Sequence, residues 1–284
     1  MPKKRGPAVA GSFYESNKEA LIKRLRWCFL HSLGPGVLPS KTLKKTEEAI
    51  GLVSPHAGYM YSGPIAANGF YEISLRFKPE IFIIVGPNHH GIGSPIALSS
   101  SEYWETPLGD VKVSLEFAKD LAKKAGIIEF DDTAHLFEHS IEVQLPFLQY
   151  IYGENIEIVP IVMMLQSFEA GKILGEAIAT LSSELNIKTL VIASTDFTHY
   201  EPHETAVKKD KAAINCILSL DSKGLYNTIL EKDISMCGPG PVMTLIEYAR
   251  KIGGKPVLIK YATSGDITGD RSAVVGYASI IFTR

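Results

Sequence analysis

The sequence predicts an α/β fold: one layered domain over residues 1–284, with a mostly buried, mixed central sheet flanked by helices. Two observations predict it. Three short, β-branched apolar runs, at 50–53, 81–85 and 189–193, lack the alternation of a half-exposed strand and read as strands covered on both faces. Around them lie longer stretches with helical apolar spacing, so strand and helix alternate along most of the chain. A third observation locates function, because each run stops at a turn that carries histidine. Gly86-Pro87 ends the second run, since proline cannot donate to a ladder, and Asn88-His89-His90 follows. The first run leads into Ser54-Pro55-His56 and the third into Ser194-Thr195-Asp196-Phe197-Thr198-His199. Open α/β sheets bind ligands at the carboxyl ends of their strands, so the three turns predict one shared site.

The elements follow in order. Residues 5–14 form an irregular leader. Ser16 with Glu19 predicts a capping box for a helix to about residue 32, with Leu21, Leu25, Cys28 and Phe29 facing inward. Gly34-Pro35-Gly36 ends it, and 41–48 reads as a charged, solvated linker. A helix is predicted at 64–74, and short strands at 96–98 and 111–113. Between those strands Tyr103-Trp104 reads as buried aromatic packing. Ser114 is predicted to cap a helix to 125, and Ser140 one that breaks around Pro146. A strand at 156–163, helices at 168–185, 203–218, 222–231 and 242–252, and strands at 257–262 and 273–282 complete the chain.

Composition bounds the function. With 45% hydrophobic and 21% charged residues the chain suits a globular protein with a full core. Lys+Arg 29 against Asp+Glu 31 leaves a net charge of -2, which argues against nucleic acid as a partner. Lys3-Lys4-Arg5 reads as a solvated terminus. Cys28, Cys216 and Cys237 are too scattered for a disulfide framework and predict reduced thiols in the cytoplasm. No apolar run is long enough to span a bilayer, and the first residues lack the apolar core of a secretory signal.

His56, His89 and His199 sit at strand ends, and Cys237 on a Gly-Pro turn before a helix. Imidazole and thiolate suit zinc, iron or copper, and three protein ligands with an open position make a catalytic arrangement. The helix start beside Cys237 predicts a lowered thiol pKa. Each residue also has an ordinary reading. His56 could be a loop imidazole bonded to backbone, and Cys237 a small buried hydrophobe. Consecutive residues do not aim at one point, so of His89 and His90 only one is expected as a ligand. Asp196 and His199 have the spacing of one helical turn, which suits a functional pair or a plain capping turn. His139, between Glu138 and Glu142, fits a proton-handling network or a helix start. His31, His135 and His203 read as surface or locally hydrogen-bonded groups. A hydrolase using Cys237 or Ser194 with His199 would lack the Gly-x-Ser-x-Gly elbow around Ser194.

Six segments, Ala10-Gly11-Ser12-Phe13-Tyr14, Pro55-His56-Ala57-Gly58-Tyr59, Gly86-Pro87-Asn88-His89-His90, Glu138-His139-Ser140-Ile141-Glu142, Ser194 to His199 and the Cys237-Gly238 turn, together resemble the Memo family in its own order over nearly the whole chain. That family is similar in fold to class III extradiol ring-cleaving dioxygenases, which use non-haem ferrous iron. The resemblance implies a divalent metal, Fe(2+) first and zinc or copper otherwise, held by His56, His89 and Cys237. It implies His199 as acid/base with Asp196 beside it, and His139, Tyr59 and His90 as pocket wall. Cys237 stands where the dioxygenases have glutamate, and a thiolate is softer and itself oxidisable. The implied function is a metal-dependent oxidoreductase, or a non-catalytic peptide-binding scaffold that uses the same pocket. The expected partner is a small molecule or peptide, not nucleic acid or membrane, and a homo-oligomer is left open. Metal affinity is expected to fall below histidine's usual pH range, since the ligands must be deprotonated.

Overall fold

The computed structural model describes residues 2–40, 45–76 and 78–284. Residues 41–44 of the charged linker lie outside the described residues. The chain opens with β1 (Lys4–Arg5), α1 (Lys18–Leu30), β2 (Ala49–Ser54), α2 (Gly63–Ser74) and β3 (Ile81–Pro87). Next come β4 (Ile96–Leu98), β5 (Tyr103–Thr106), β6 (Gly109–Val113), α3 (Leu115–Ala125) and β7 (Glu129–Phe130). Two short 3₁₀ turns, Asp132–His135 and Glu142–Gln144, lead into α4 (Leu145–Tyr152) and β8 (Glu157–Met163). Then follow α5 (Phe168–Leu185), β9 (Thr189–Ser194), β10 (His199–Glu201), α6 (His203–Leu218), α7 (Ser222–Lys232) and α8 (Pro239–Ile252). The last elements are β11 (Lys255–Thr263), α9 (Ser264–Thr268) and β12 (Val274–Thr283).

The strands pair in one mixed sheet in the order β1-β5-β6-β8-β3-β9-β2-β12-β10, with β11 on β12 and β4 on β8. The centre, β6, β8, β3, β9 and β2, is parallel. β12 closes onto β2 antiparallel. Alternation along each central strand assigns its side chains to two cores. Ile83, Val85, Val159, Ile161, Val191 and Ala193 pack beneath α3, α5 and α8. Phe82, Ile84, Leu52, Ile158, Leu190 and Ile192 pack beneath α1, α2 and α4. A strand covered on both faces has no polar side to show, which is why these runs are continuously apolar. Among the described residues no helix is long and apolar enough to cross a membrane.

Several local expectations are corrected. The α1 cap is Asn17, whose side chain accepts from the Ala20 amide, rather than Ser16. Ser140 caps no helix; its hydroxyl donates to the Pro87 carbonyl at the end of β3. The loop between the last two strands contains α9, held by a capping box of Thr263 and Asp266. Of the surface and hydrogen-bonded alternatives for His135 the surface one fails: the ring is fully buried, with Nε2 bonded to the Ala97 carbonyl. Trp104 is buried as expected and lies under the Arg5 guanidinium, 4.4 Å from its ring centre.

The leader is tied down by one carboxylate. Glu142, fully buried, pairs with Arg5 and accepts from the Ala8 and Val9 amides and the Tyr14 hydroxyl. Arg5 also donates to the carbonyls of His135 and Glu138. The leader therefore becomes a wall of the region around His139, onto whose ring Phe13 packs at 4.6 Å.

Candidate metal centre

β2, β9 and β3 are neighbours in register, with Ser54 opposite Ser194 and Val85 opposite Ala193. Their carboxyl ends therefore open at one level, and the turns beyond them meet. The His56 and His89 ring centres are 5.1 Å apart. His139, assigned by sequence to the pocket wall, joins them at 5.4 Å from His56 and 4.6 Å from His89. One nitrogen from each of the three rings lies within 4.8 Å of the others, and Cys237 is not in that mutually close group. The thiol approaches through His56, with Sγ 3.2 Å from Nε2.

Hydrogen bonds fix which nitrogens face this point. The Ser194 hydroxyl donates its single proton to the Ser140 carbonyl, 2.6 Å away, and accepts from Gln144 Nε2 at 2.8 Å. Its contact with His56 Nδ1 at 2.9 Å must then run from the ring to the oxygen. His56 is therefore the Nδ1–H tautomer, and its Nε2 lone pair faces Cys237. Glu138 does the same for His89. This buried carboxylate accepts from His89 Nδ1 at 3.0 Å and from the amides of His89, His139 and Ser140. Those donors hold its pKa well below the usual carboxylate range despite its burial. Such outer partners orient a ligating imidazole and raise its basicity. Replacing Glu138 with Gln should therefore lower metal affinity about ten- to hundredfold, read by competition with a chelator. Unchanged affinity would show that His89 needs no anchor.

The electrostatics favour neutral rings. Burial, then the charges that His139 and His89 would carry, lowers the His56 pKa well below its ordinary value. Burial lowers that of His139 to about 4, against the pull of Glu138. The Cys237 thiol moves opposite to the sequence expectation: burial and then the Asp196 charge raise it. The Asp196 amide donates to the sulfur at 3.2 Å, but this does not offset the desolvation. α8 begins at Pro239, two residues on, and its N-terminus does not reverse that balance.

Asp196 and His199 are not hydrogen-bonded to each other. Asp196 Oδ1 accepts from the His56 amide at 2.9 Å, and burial raises its pKa to about 6. His199 Nδ1 donates to the Ser235 carbonyl at 2.8 Å, because a carbonyl can only accept. This leaves Nε2 as the basic nitrogen. His90 lies outside the three-ring group, with Nε2 on the Phe137 carbonyl at 2.9 Å. Tyr59 is buried, and its hydroxyl donates to the Val143 carbonyl, a packing role rather than an open wall. Two glycines permit the close packing. A Cβ on Gly86 would meet the Ser140 hydroxyl at 2.3 Å, and one on Gly238 the Ser194 carbonyl at 2.7 Å. Sequence reading missed Glu138, Ser194 and Gln144 as the groups that set the tautomers. The only signal was a carboxylate beside His139. A cleft of about 780 Å³ opens at the amino ends of β3 and β8 beside Glu80, Glu154 and Glu157, and no histidine or cysteine lines it.

Comparison with known proteins places the chain among similar sequences. The family model described as Memo-like protein matches residues 5–281. A MEMO1 family protein of Desulfurococcus amylolyticus is 50% identical over 280 residues, 99% of each chain. One of Sulfolobus acidocaldarius is 49% identical over 280 residues, covering 98% of this chain and 99% of that one. One of Sulfurisphaera tokodaii is 48% identical with the same coverage.

Proposed function

The chain belongs to the Memo family, and from that premise we propose that it is a metal-dependent oxidoreductase whose divalent ion, Fe(2+) first, is held by His56, His89 and Cys237; the mutually close rings of His56, His89 and His139 and the contact of the sulfur with His56 support the reading. One observation carries the reading: the Nδ1 protons of His56 and His89 are committed to Ser194 and Glu138, which leaves each Nε2 as the lone-pair nitrogen of its ring, that of His56 facing the Cys237 sulfur. The donor set fits a borderline metal, with two or three neutral imidazoles and a sulfur. A bound ferrous ion would supply a Lewis-acidic, redox-active centre. The chain's own residues do the rest. Ser194 and Glu138 hold the rings, and Asp196 fixes the His56 backbone. His199, through Nε2, would take a proton from a bound ligand, with its ring held by Ser235. The likeness to class III extradiol dioxygenases belongs to this reading. So does a reducing, cytoplasmic setting, with Cys28, Cys216 and Cys237 as free thiols.

The test is iron content after anaerobic loading, followed by oxygen uptake on adding a catechol. About one iron per chain and catechol-dependent uptake are expected. Protein that takes up no more iron than a His56→Ala/His89→Ala variant would overturn the reading. A second reading, a non-catalytic peptide-binding scaffold, draws on the exposed Met60, Tyr61, Phe137, Leu165 and Tyr200, which adjoin the site in sequence or follow β8. Peptide bound equally by metal-free protein, without oxygen uptake, would favour it.

The pH dependence has a definite sign. His139 titrates near pH 4, and His56 is also lowered, so neither ring takes up a proton near neutrality. The thiol is raised above its ordinary range, so metal binding must displace its proton. Between about pH 7 and 9 affinity should rise about tenfold per unit, and Cys237→Ser should remove that slope. A flat profile in the unsubstituted protein would exclude the sulfur as a ligand.

A further inference from the structure

Adjacent histidines do not aim at one point, and the structure gives His89 and His90 one each. The His89 ring lies against those of His56 and His139. His90 lies instead by Phe137, with Nε2 bonded to the Phe137 carbonyl at 2.9 Å. A carbonyl can only accept, so Nε2 carries the proton and Nδ1 the lone pair. This is the opposite tautomer to that of His56 and His89. Asn88 holds the loop in that posture, its Oδ1 accepting from the His90 and Gly91 amides.

A second group of donors meets there. One ligand atom from each of His90, Glu138 and His139 lies within 4.8 Å of the other two. His139 is not required by the set of His56, His89 and Cys237, so it is available to this one. The Glu138 carboxylate has room for a further partner. Its Oε1 accepts from His89 Nδ1 and from the His139 and Ser140 amides, while Oε2 accepts from the His89 amide alone among the described residues. Oε2 therefore keeps a lone pair. The charge on Glu138 is also treated differently from that on Glu142, the other buried glutamate nearby. Glu142 has Arg5 as its counter-charge. Among the described residues no lysine or arginine pairs with the Glu138 carboxylate, whose partners are the rings of His89 and His139. Buried carboxylates are paired with a cation or ligate a metal, and this one lacks the first.

We propose that His90, Glu138 and His139 form a second divalent-cation site, beside the candidate centre of His56, His89 and Cys237 and filled only when metal is in excess. Two imidazoles and a carboxylate suit Mn(2+), Fe(2+), Co(2+) or Zn(2+), without the preference for thiophilic ions that the Cys237 sulfur gives the first site. Two causes make it the weaker of the two. His90 is exposed, so its side chain loses freedom on binding. A second dication also meets the repulsion of the first. The site goes beyond the metal reading above and can fail separately from it.

Isothermal titration of the reduced, metal-stripped full chain with Co(2+) tests the proposal. Wild type should show two binding events, a tight one followed by a weaker one. His90→Ala, at an exposed position, should remove the weaker event and leave both the tight event and the melting temperature as they were. His56→Ala should remove the tight event and leave the weaker one. A single event that His56→Ala removes, or a weaker event that survives in His90→Ala, would overturn this proposal and leave the metal reading standing. A single event that His90→Ala removes and His56→Ala spares would uphold this site and overturn the metal reading. Wild type that binds no cobalt would overturn both.

Discussion

Replacing His56 with Ala should abolish stoichiometric metal binding, with a loss larger than the ten- to hundredfold typical of an outer partner. The reason is positional. His56 neighbours each of the other candidate ligands: its ring lies beside those of His89 and His139, and its Nε2 is 3.2 Å from the Cys237 sulfur. Its backbone amide and Nδ1 are held by Asp196 and Ser194. Removing the ring takes away one of the three close nitrogens and the contact between that group and the sulfur. Cys237→Ser should cost less where three imidazoles suffice, and more for a thiophilic ion such as Zn(2+) than for Fe(2+). Isothermal titration of both variants with each metal checks the ranking. His56→Ala retaining wild-type stoichiometry would refute the assignment.

Replacing Arg5 with Ala should lower stability by about 3–5 kcal/mol, because it leaves a buried carboxylate without its counter-charge. Glu142 would keep the Ala8, Val9 and Tyr14 donors but lose the ion pair. The His135 and Glu138 carbonyls would lose their donor, and Trp104 its stacked cation. For a chain of this size the melting temperature should fall by on the order of 10 °C. The Arg5→Met/Glu142→Leu double variant should recover little of the loss, because it removes the unpaired charge but leaves the Ala8 and Val9 amides and the Tyr14 hydroxyl without their acceptor and the His135 and Glu138 carbonyls without their donor. A single variant melting within about 2 °C of wild type would show that the leader is not anchored by this pair. The effect should reach the candidate metal centre, because Arg5 holds the Glu138 backbone while the Glu138 carboxylate holds His89.

The elements legible in the sequence were those whose cause is local. β2, β3 and β9 show as apolar runs because both faces of the central strands are covered. α5 and α6 begin and end where their apolar spacing does. Caps were less legible: Asn17 and Ser16 are both good cap residues, and only the backbone geometry chooses between them. The short strands β1, β7 and β10 carry no pattern of their own and form only where a partner strand meets them.

The sequence by itself determined the layered α/β architecture, and it placed histidines at the carboxyl ends of strands that pair side by side. What only the tertiary structure decided is how each of those side chains is held. Glu138 and Glu142 stand four residues apart, yet one locks His89 and the other anchors the leader through Arg5. Asp196 holds the His56 backbone, and the Ser235 carbonyl holds His199. The Cys237 thiol is raised rather than lowered, because desolvation outweighs the nearby amide. The physical reason is common to all of these. A strand's burial is written in its own residues, whereas a hydrogen-bond partner or a desolvated charge depends on groups far away in the chain, which only the folded packing brings within reach.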